Sequence, residues 1–200
     1  MDAEEVPFSF PISKIVIGNW IRSPICPEDL LIKLYIQSKK LTWEMVGVDA
    51  EAGGGLKRKM EVNWDDVLSC RMIHNSDGTG FLDVEMRKRP TFLMETHPSP
   101  SSTQWEKIDE DFTWNQAAST FRTHTLHFPS GVLQEMMSKL VSGDNFWKEL
   151  LKVGFPTLPE SLVFEQDLNT ENDGQIRRHF WHDDGTHMTS IAEDNDGNSM

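Results

Sequence analysis

The chain has 200 residues, 38% hydrophobic and 26% charged, which fits one ordinary globular domain with tails. Its formal net charge of −13 repels nucleic-acid backbones over most of the surface, so nucleic acid is not an expected partner. No apolar run reaches the ~18–20 residues of a transmembrane helix, and the acidic start Met1–Glu5 does not read as a secretory signal.

Asp2 after the initiator and the absence of a prenylation cysteine leave no lipid anchor expected. Cys26 and Cys70 lack metal-ligand spacing and read as reduced thiols, which predicts an intracellular location, cytoplasmic or nuclear.

Residues 1–9 read as a short N-terminal tail. The first strand is predicted over Ile12–Arg22, closed by Trp20 and broken by Pro24, Pro27 and Glu28-Asp29. The clearest period of two follows. Leu30, Ile32, Leu34 and Ile36 share one face, and after the turn Ser38-Lys39-Lys40 the residues Leu41, Trp43 and Met45 continue it as a hairpin.

Gly53, Gly54 and Gly55 mark a loop. The next strand, Lys57–Asn63, turns Met60 and Val62 inward and Lys57, Lys59 and Glu61 outward. Trp64-Asp65-Asp66 turns the chain into Val67–Ile73, and Asp77-Gly78 supplies the positive φ of a tight hairpin. Phe81–Met86 reads as a strand with Asp83 and Glu85 facing water. Arg87-Lys88-Arg89-Pro90 is a basic turn before a short strand at Thr91–Thr96.

Residues 97–120 carry no clean period and read as a long loop holding Trp105, Phe112 and Trp114. Phe121–Phe128 is the last strand. Then Leu133, Met136, Met137, Leu140 and Val141 recur at helical spacing, with Ser130 as the expected N-cap. Gly143 stops that helix and Asp144 caps a second, short one bearing Phe146, Trp147, Leu150 and Leu151. The polar, acidic stretch 154–200 is predicted to be disordered.

About seven antiparallel strands followed by a helix describe a mainly β fold, a PH-like antiparallel sandwich or open barrel over residues 10–153, capped by a C-terminal helix. Particular blocks carry a likeness. They are Phe10-Pro11 to Trp20, Asp29-Leu30 to Trp43-Glu44, Leu56-Lys57 to Val62-Asn63-Trp64-Asp65-Asp66-Val67, and Arg89-Pro90-Thr91-Phe92 to Glu95-Thr96-His97-Pro98 with Trp105. Over roughly Phe8–Leu151 the chain resembles a plant family of uncharacterised PH-like domain proteins carried under the TRF/HOY label. The resemblance implies binding of a lipid headgroup, a peptide or a protein surface, and it carries over no catalytic residue.

Lipid-binding PH domains place lysine and arginine between their first two strands. Here that loop, Ser23–Asp29, carries Glu28 and Asp29 and no basic cluster. The other basic groups are Lys39-Lys40, Lys57-Arg58-Lys59 and Arg87-Lys88-Arg89, of which Lys57, Arg58, Lys59, Arg87, Lys88 and Arg89 form a candidate anion patch only if they converge. His179, His182 and His187 with Asp183 and Asp184 have ligand-type side chains, but no cysteine accompanies them, and no metal is assigned. His124, His127 and the Asp65-Asp66 pair come with no nucleophile or phosphate-loop motif, so no catalysis and no cofactor are expected.

Of the seven tryptophans, most fall in predicted strands or the helix and read as core. Trp105 and Trp114 in the long loop are candidate interaction residues. So are Phe180 and Trp181, an aromatic island beside Arg177 and Arg178. The expected function is a non-catalytic PH-like module that binds a protein or peptide. The alternative is a membrane-surface adaptor that reads acidic phospholipid, phosphoinositide included, through the six cations.

Overall fold

The computed structural model describes residues 5–47, 55–97 and 103–165. In chain order these form β1 (Phe8–Pro11), β2 (Lys14–Ile17), β3 (Trp20–Arg22), β4 (Leu30–Tyr35), β5 (Lys40–Val46) and β6 (Lys57–Asn63). Next come β7 (Val67–His74), β8 (Gly80–Met86), β9 (Thr91–His97), β10 (Gln104–Ile108), α1 (Ala117–Thr120), β11 (Thr123–Phe128), α2 (Val132–Gly143) and α3 (Asn145–Leu150).

The strands make two antiparallel sheets. Sheet A has the order β1-β4-β5-β6-β9-β10 and sheet B the order β3-β2-β11-β8-β7. Their inner faces enclose one core, in which Trp43, Ile15, Ile17, Leu34, Leu82 and Leu126 are fully buried. The alternation in β4 and β5 does what the period of two predicts: Leu30, Ile32 and Leu34 face Met45, Trp43 and Leu41 across the ladder, all inward. Together with the C-terminal helix, this is the mainly β sandwich expected.

The helices close the sandwich on one side. Leu133, Met136, Met137 and Leu140 form the buried stripe of α2, which packs on β1 of sheet A and β8 of sheet B. Each such side chain contributes roughly 1.5–3 kcal/mol of burial. The close approach rests on Gly80, where a Cβ would come within 2.5 Å of the Ile73 carbonyl and 2.7 Å of Leu133. Asp144 caps α3 by accepting from the Phe146 amide at 2.8 Å, as its position predicts. Trp64 stacks on Phe146 and meets Trp147 edge to face, with ring centroids 5.9 and 5.6 Å apart.

Five features differ from the expectation. The stretch ahead of residue 10 is not all tail: β1 starts at Phe8, and the Glu5 carboxylate accepts from the Gln37 and Ser38 amides at 2.7 and 3.0 Å. Ile12–Arg22 is two strands, because Gly18 at φ +54° turns the chain between β2 and β3. The region read as a loop contains β10, held to β9. The residue before α2 is Gly131, with φ +79°, while the Ser130 hydroxyl donates instead to the Asp77 carbonyl at 3.1 Å. Finally, the folded unit runs to Glu165, because 154–165 forms a strap that covers the outer face of sheet B at Glu85 and then pairs with residues 120–122, with Phe164 in the core.

The strap also explains a correction inside β8. Asp83 and Glu85 do not face water; they are 3% and 1% exposed. Asp83 accepts two bonds from the Arg71 guanidinium, at 3.0 and 2.7 Å, and one from the Thr125 hydroxyl at 2.6 Å. Glu85 accepts from the Ser69 hydroxyl at 2.5 Å and from the Thr157 and Leu158 amides of the strap at 2.6 and 2.9 Å.

Candidate interaction surfaces

The six cations do not form one patch. Strand alternation puts Lys57 and Lys59 on the outer face of sheet A and Arg58 on the other side of the same strand. Lys57 lies 3.6 Å from the Glu44 carboxylate. Lys59, 7% exposed, sits 4.3 Å from the Trp105 ring centroid. Its burial is the main cause holding its ammonium below the ordinary 10.5. The Arg58 guanidinium lies 6.0 Å from the Phe112 ring centroid.

The basic turn 87–89 leads into Thr91, which pairs with Glu61, four residues or about 13 Å along β6 from Lys57. There Lys88 bridges to Asp66 at 3.2 Å, and Arg89 donates to the Ser119 and Glu165 carbonyls at 2.9 Å each. These cations are spread over two strand faces and a distant turn, and most engage the protein's own groups.

The tryptophans separate too. Trp105 is half-buried on β10. Trp114 is 63% exposed, and Asn115 and Gln116 after it both hold positive φ, 54° and 52°. Two consecutive left-handed non-glycine residues are unusual. Asp111 secures the turn by accepting from the Thr113 and Ser119 amides at 2.8 and 2.7 Å. Among the described residues no ring contact joins Trp105 to Trp114. Phe180, Trp181 and the histidines at 179, 182 and 187 lie outside the described residues.

His124 and His127 point to opposite faces of β11. His124 is fully buried, and its Nδ1 accepts from Trp43 Nε1 at 2.9 Å, a bond that ties sheet B to sheet A. Burial pushes its pKa down from 6.5 to about 3, so the ring is neutral. His127 faces outward against Phe81, centroids 5.5 Å apart. The two do not work as a pair, and Asp65-Asp66 lies in the turn between β6 and β7.

Two surfaces stand out by their geometry. The first is a groove of about 660 Å³ between the edge strand β1 and α2, lined by Val6, Phe8, Leu34, Ile36, Lys139 and Gly143 among others. Val6 is 87% and Phe8 44% exposed, and Lys139 Nζ lies 5.2 Å from the Phe8 ring centroid. Glu5, also at the groove, is spent on the Gln37 and Ser38 groups, whose hydrogen bonds outweigh desolvation and hold its pKa below the ordinary value.

The second is the outer face of sheet B under the strap. The Arg71 guanidinium lies 4.8 Å from the Phe155 ring centroid, and Arg122 lies 4.9 Å from that of Phe164 while donating to the Val163 carbonyl at 3.1 Å. Phe121 and Val163 form an isolated antiparallel bridge. For Glu85, desolvation by itself would raise the pKa, but the donors from Ser69, Thr157 and Leu158 outweigh it and hold it below the ordinary 4.5. Sequence reasoning missed Glu85, Arg71 and Arg122, since no local pattern links them to a segment some 40 to 90 residues downstream.

The sequence profile of the TRF2/HOY1 PH-like domain matches residues 9–134. A search of the curated proteins finds no match. The match covers more than half of the chain, from β1 into α2, and joins the two-sheet sandwich to a named group: the chain belongs to the TRF2/HOY1 PH-like domain family.

Proposed function

We propose that this domain is a non-catalytic interaction module that takes a short peptide segment of a partner protein in the groove between β1 and α2. The observation that carries this reading is the conjunction at one place of an edge strand, exposed Val6 and Phe8, and a helix flank. An edge strand offers unpaired backbone groups to an added strand, and the helix flank offers an apolar wall. Lys139 over Phe8 favours a segment with an apolar anchor next to a carboxylate. Trp114, exposed on its turn, supplies a second contact point. The free thiols Cys26 and Cys70 support a reducing compartment, cytoplasmic or nuclear.

Peptide display against the whole chain tests the groove. Selected peptides are expected to carry an apolar residue beside an acidic one, and to lose at least tenfold in affinity against Phe8→Asp. Peptides that bind Phe8→Asp as well as the wild type would sink the groove reading. The membrane reading is supported by no convergent cation cluster; phosphoinositide vesicles are expected to leave the chain unbound at low and physiological salt.

A further inference from the structure

The strap 154–165 meets sheet B in two ways: Phe164, 6% exposed, joins the core, while the stretch before it is held largely by polar groups. Its far end pairs by backbone with Thr120 and Arg122, and its other anchors on the sheet are charged side chains that hold largely backbone. Glu85 takes two successive strap amides, and Arg122 and Arg89 take the carbonyls of Val163 and Glu165. The side chains that the sheet reads are two aromatic rings nine positions apart, Phe155 on Arg71 and Phe164 on Arg122. Between them Leu158 and Leu162 are 37% and 59% exposed, so the middle of the strap buries little.

Backbone bonds plus a few side-chain contacts are how domains hold extended peptides. A carboxylate 1% exposed that accepts two amides from a separate segment is a costly arrangement unless a chain lies there, because an unpartnered buried charge is strongly unfavourable.

We propose that the outer face of sheet B, from Arg71 through Glu85 to Arg122, is a second peptide-binding surface, and that the strap is its intramolecular occupant. The partner it fits is a segment that turns between two aromatic residues about nine apart, as the strap does at residues 158–161, presenting adjacent backbone amides to Glu85. The strap is continuous with α3 and lies on the face in advance, so such a partner binds by exchange: the strap leaves as the segment arrives. This surface is separate from the groove between β1 and α2 and does not depend on it.

The test uses the full chain and a fluorescent peptide with the sequence of residues 154–165. Wild type is expected to bind it weakly, because the attached strap competes at high effective concentration. Phe155→Ala, which weakens the strap alone, should bind at least tenfold tighter, and adding Glu85→Gln should remove that gain. A folded Phe155→Ala chain that does not bind better overturns the proposal. So does loss of folding in Phe155→Ala, since a displaceable occupant leaves the sheets intact.

Hydrogen exchange on the unaltered chain gives an independent reading. The Thr157 and Leu158 amides should exchange at least tenfold faster than those of β8 and β11; exchange only together with those strands would make the strap part of the core and overturn the proposal. Concentration-dependent dimers of the wild-type chain that exchange straps would place the occupant in a second copy and overturn the assignment to a different partner.

Discussion

The outer faces of the two sheets both hide carboxylates, and Glu44 on one and Glu85 on the other are satisfied differently. On sheet A, Glu44 is 5% exposed and meets Lys33 at 2.6 Å and Lys57 at 3.6 Å, with the pair Lys40–Glu61 at 2.7 Å beside it. All of these groups lie on neighbouring strands, so the charges are matched whenever the sheet exists. On sheet B, Glu85 is matched by Ser69 and by backbone amides of a segment that reaches the face only when the strap is in place. Glu44 is matched within its own sheet, as Asp83 is in sheet B by Arg71 and Thr125, whereas Glu85 depends on the strap.

The largest expected effect lies between the sheets, at the Trp43–His124 bond. The pKa of His124 falls on folding from 6.5 to about 3, so its contribution is complete above pH 6.5 and is lost as pH falls toward 3. Over that window the folding equilibrium weakens by up to about tenfold per pH unit from this residue. His124→Phe should remove that slope in urea titrations at several pH values; an unchanged slope would move the acid sensitivity elsewhere.

The next effect separates the two faces. Glu85→Ala leaves three donors without their acceptor and is expected to cost about 3 kcal/mol, whereas Glu44→Ala leaves lysines that reach water and should cost about 1 kcal/mol. Equal losses would erase the distinction. Salt sharpens it: between about 0.01 and 1 M, the Glu44→Ala loss should shrink while the Glu85→Ala loss persists. Acid adds a window. With the Glu85 pKa below its ordinary 4.5, its support of the strap is present above that value and is lost as pH falls through the lower folded one. Strap amides should therefore gain exchange only in that range.

The smallest effect is at the tryptophans. Trp105→Ala, losing its contact with Lys59, should cost about 1 kcal/mol, and Trp114→Ala under ~0.5 kcal/mol, as read from thermal melts. A large loss for Trp114 would make it structural rather than an anchor for contact.

Wherever structure is decided by neighbours in sequence, the sequence was readable. Leu30, Ile32 and Leu34 declared their face by alternation. Leu133, Met136, Met137 and Leu140 declared theirs by helical spacing, and the turn at Asp77-Gly78 by the left-handed glycine, φ +83°. Asp83 and Glu85 misled for the same reason. Within β8 they alternate with buried Leu82 and Val84 as solvent residues would, and what buries them is Arg71 and a strap some 70 residues later. β10 was hidden because its residues, Gln104–Ile108, show mostly exposed side chains on an edge strand, and edge strands carry little apolar signal. The candidate cations were legible as charges but not as a site, since convergence is a property of the sheet and not of the run.

The place of β11 in sheet B has a consequence for how the chain is made. Sheet A can begin with neighbours: β4, β5 and β6 pair in succession as they leave the ribosome. In sheet B, β2 and β8 both pair with β11, so β2 waits more than 100 residues for its second partner. Such distant pairings form late and leave strand edges open in the meantime. During synthesis β2, carrying Ile15 and Ile17, thus has only the short β3 beside it and its other edge open, and it is the segment a chaperone would be expected to guard until residue 128 emerges.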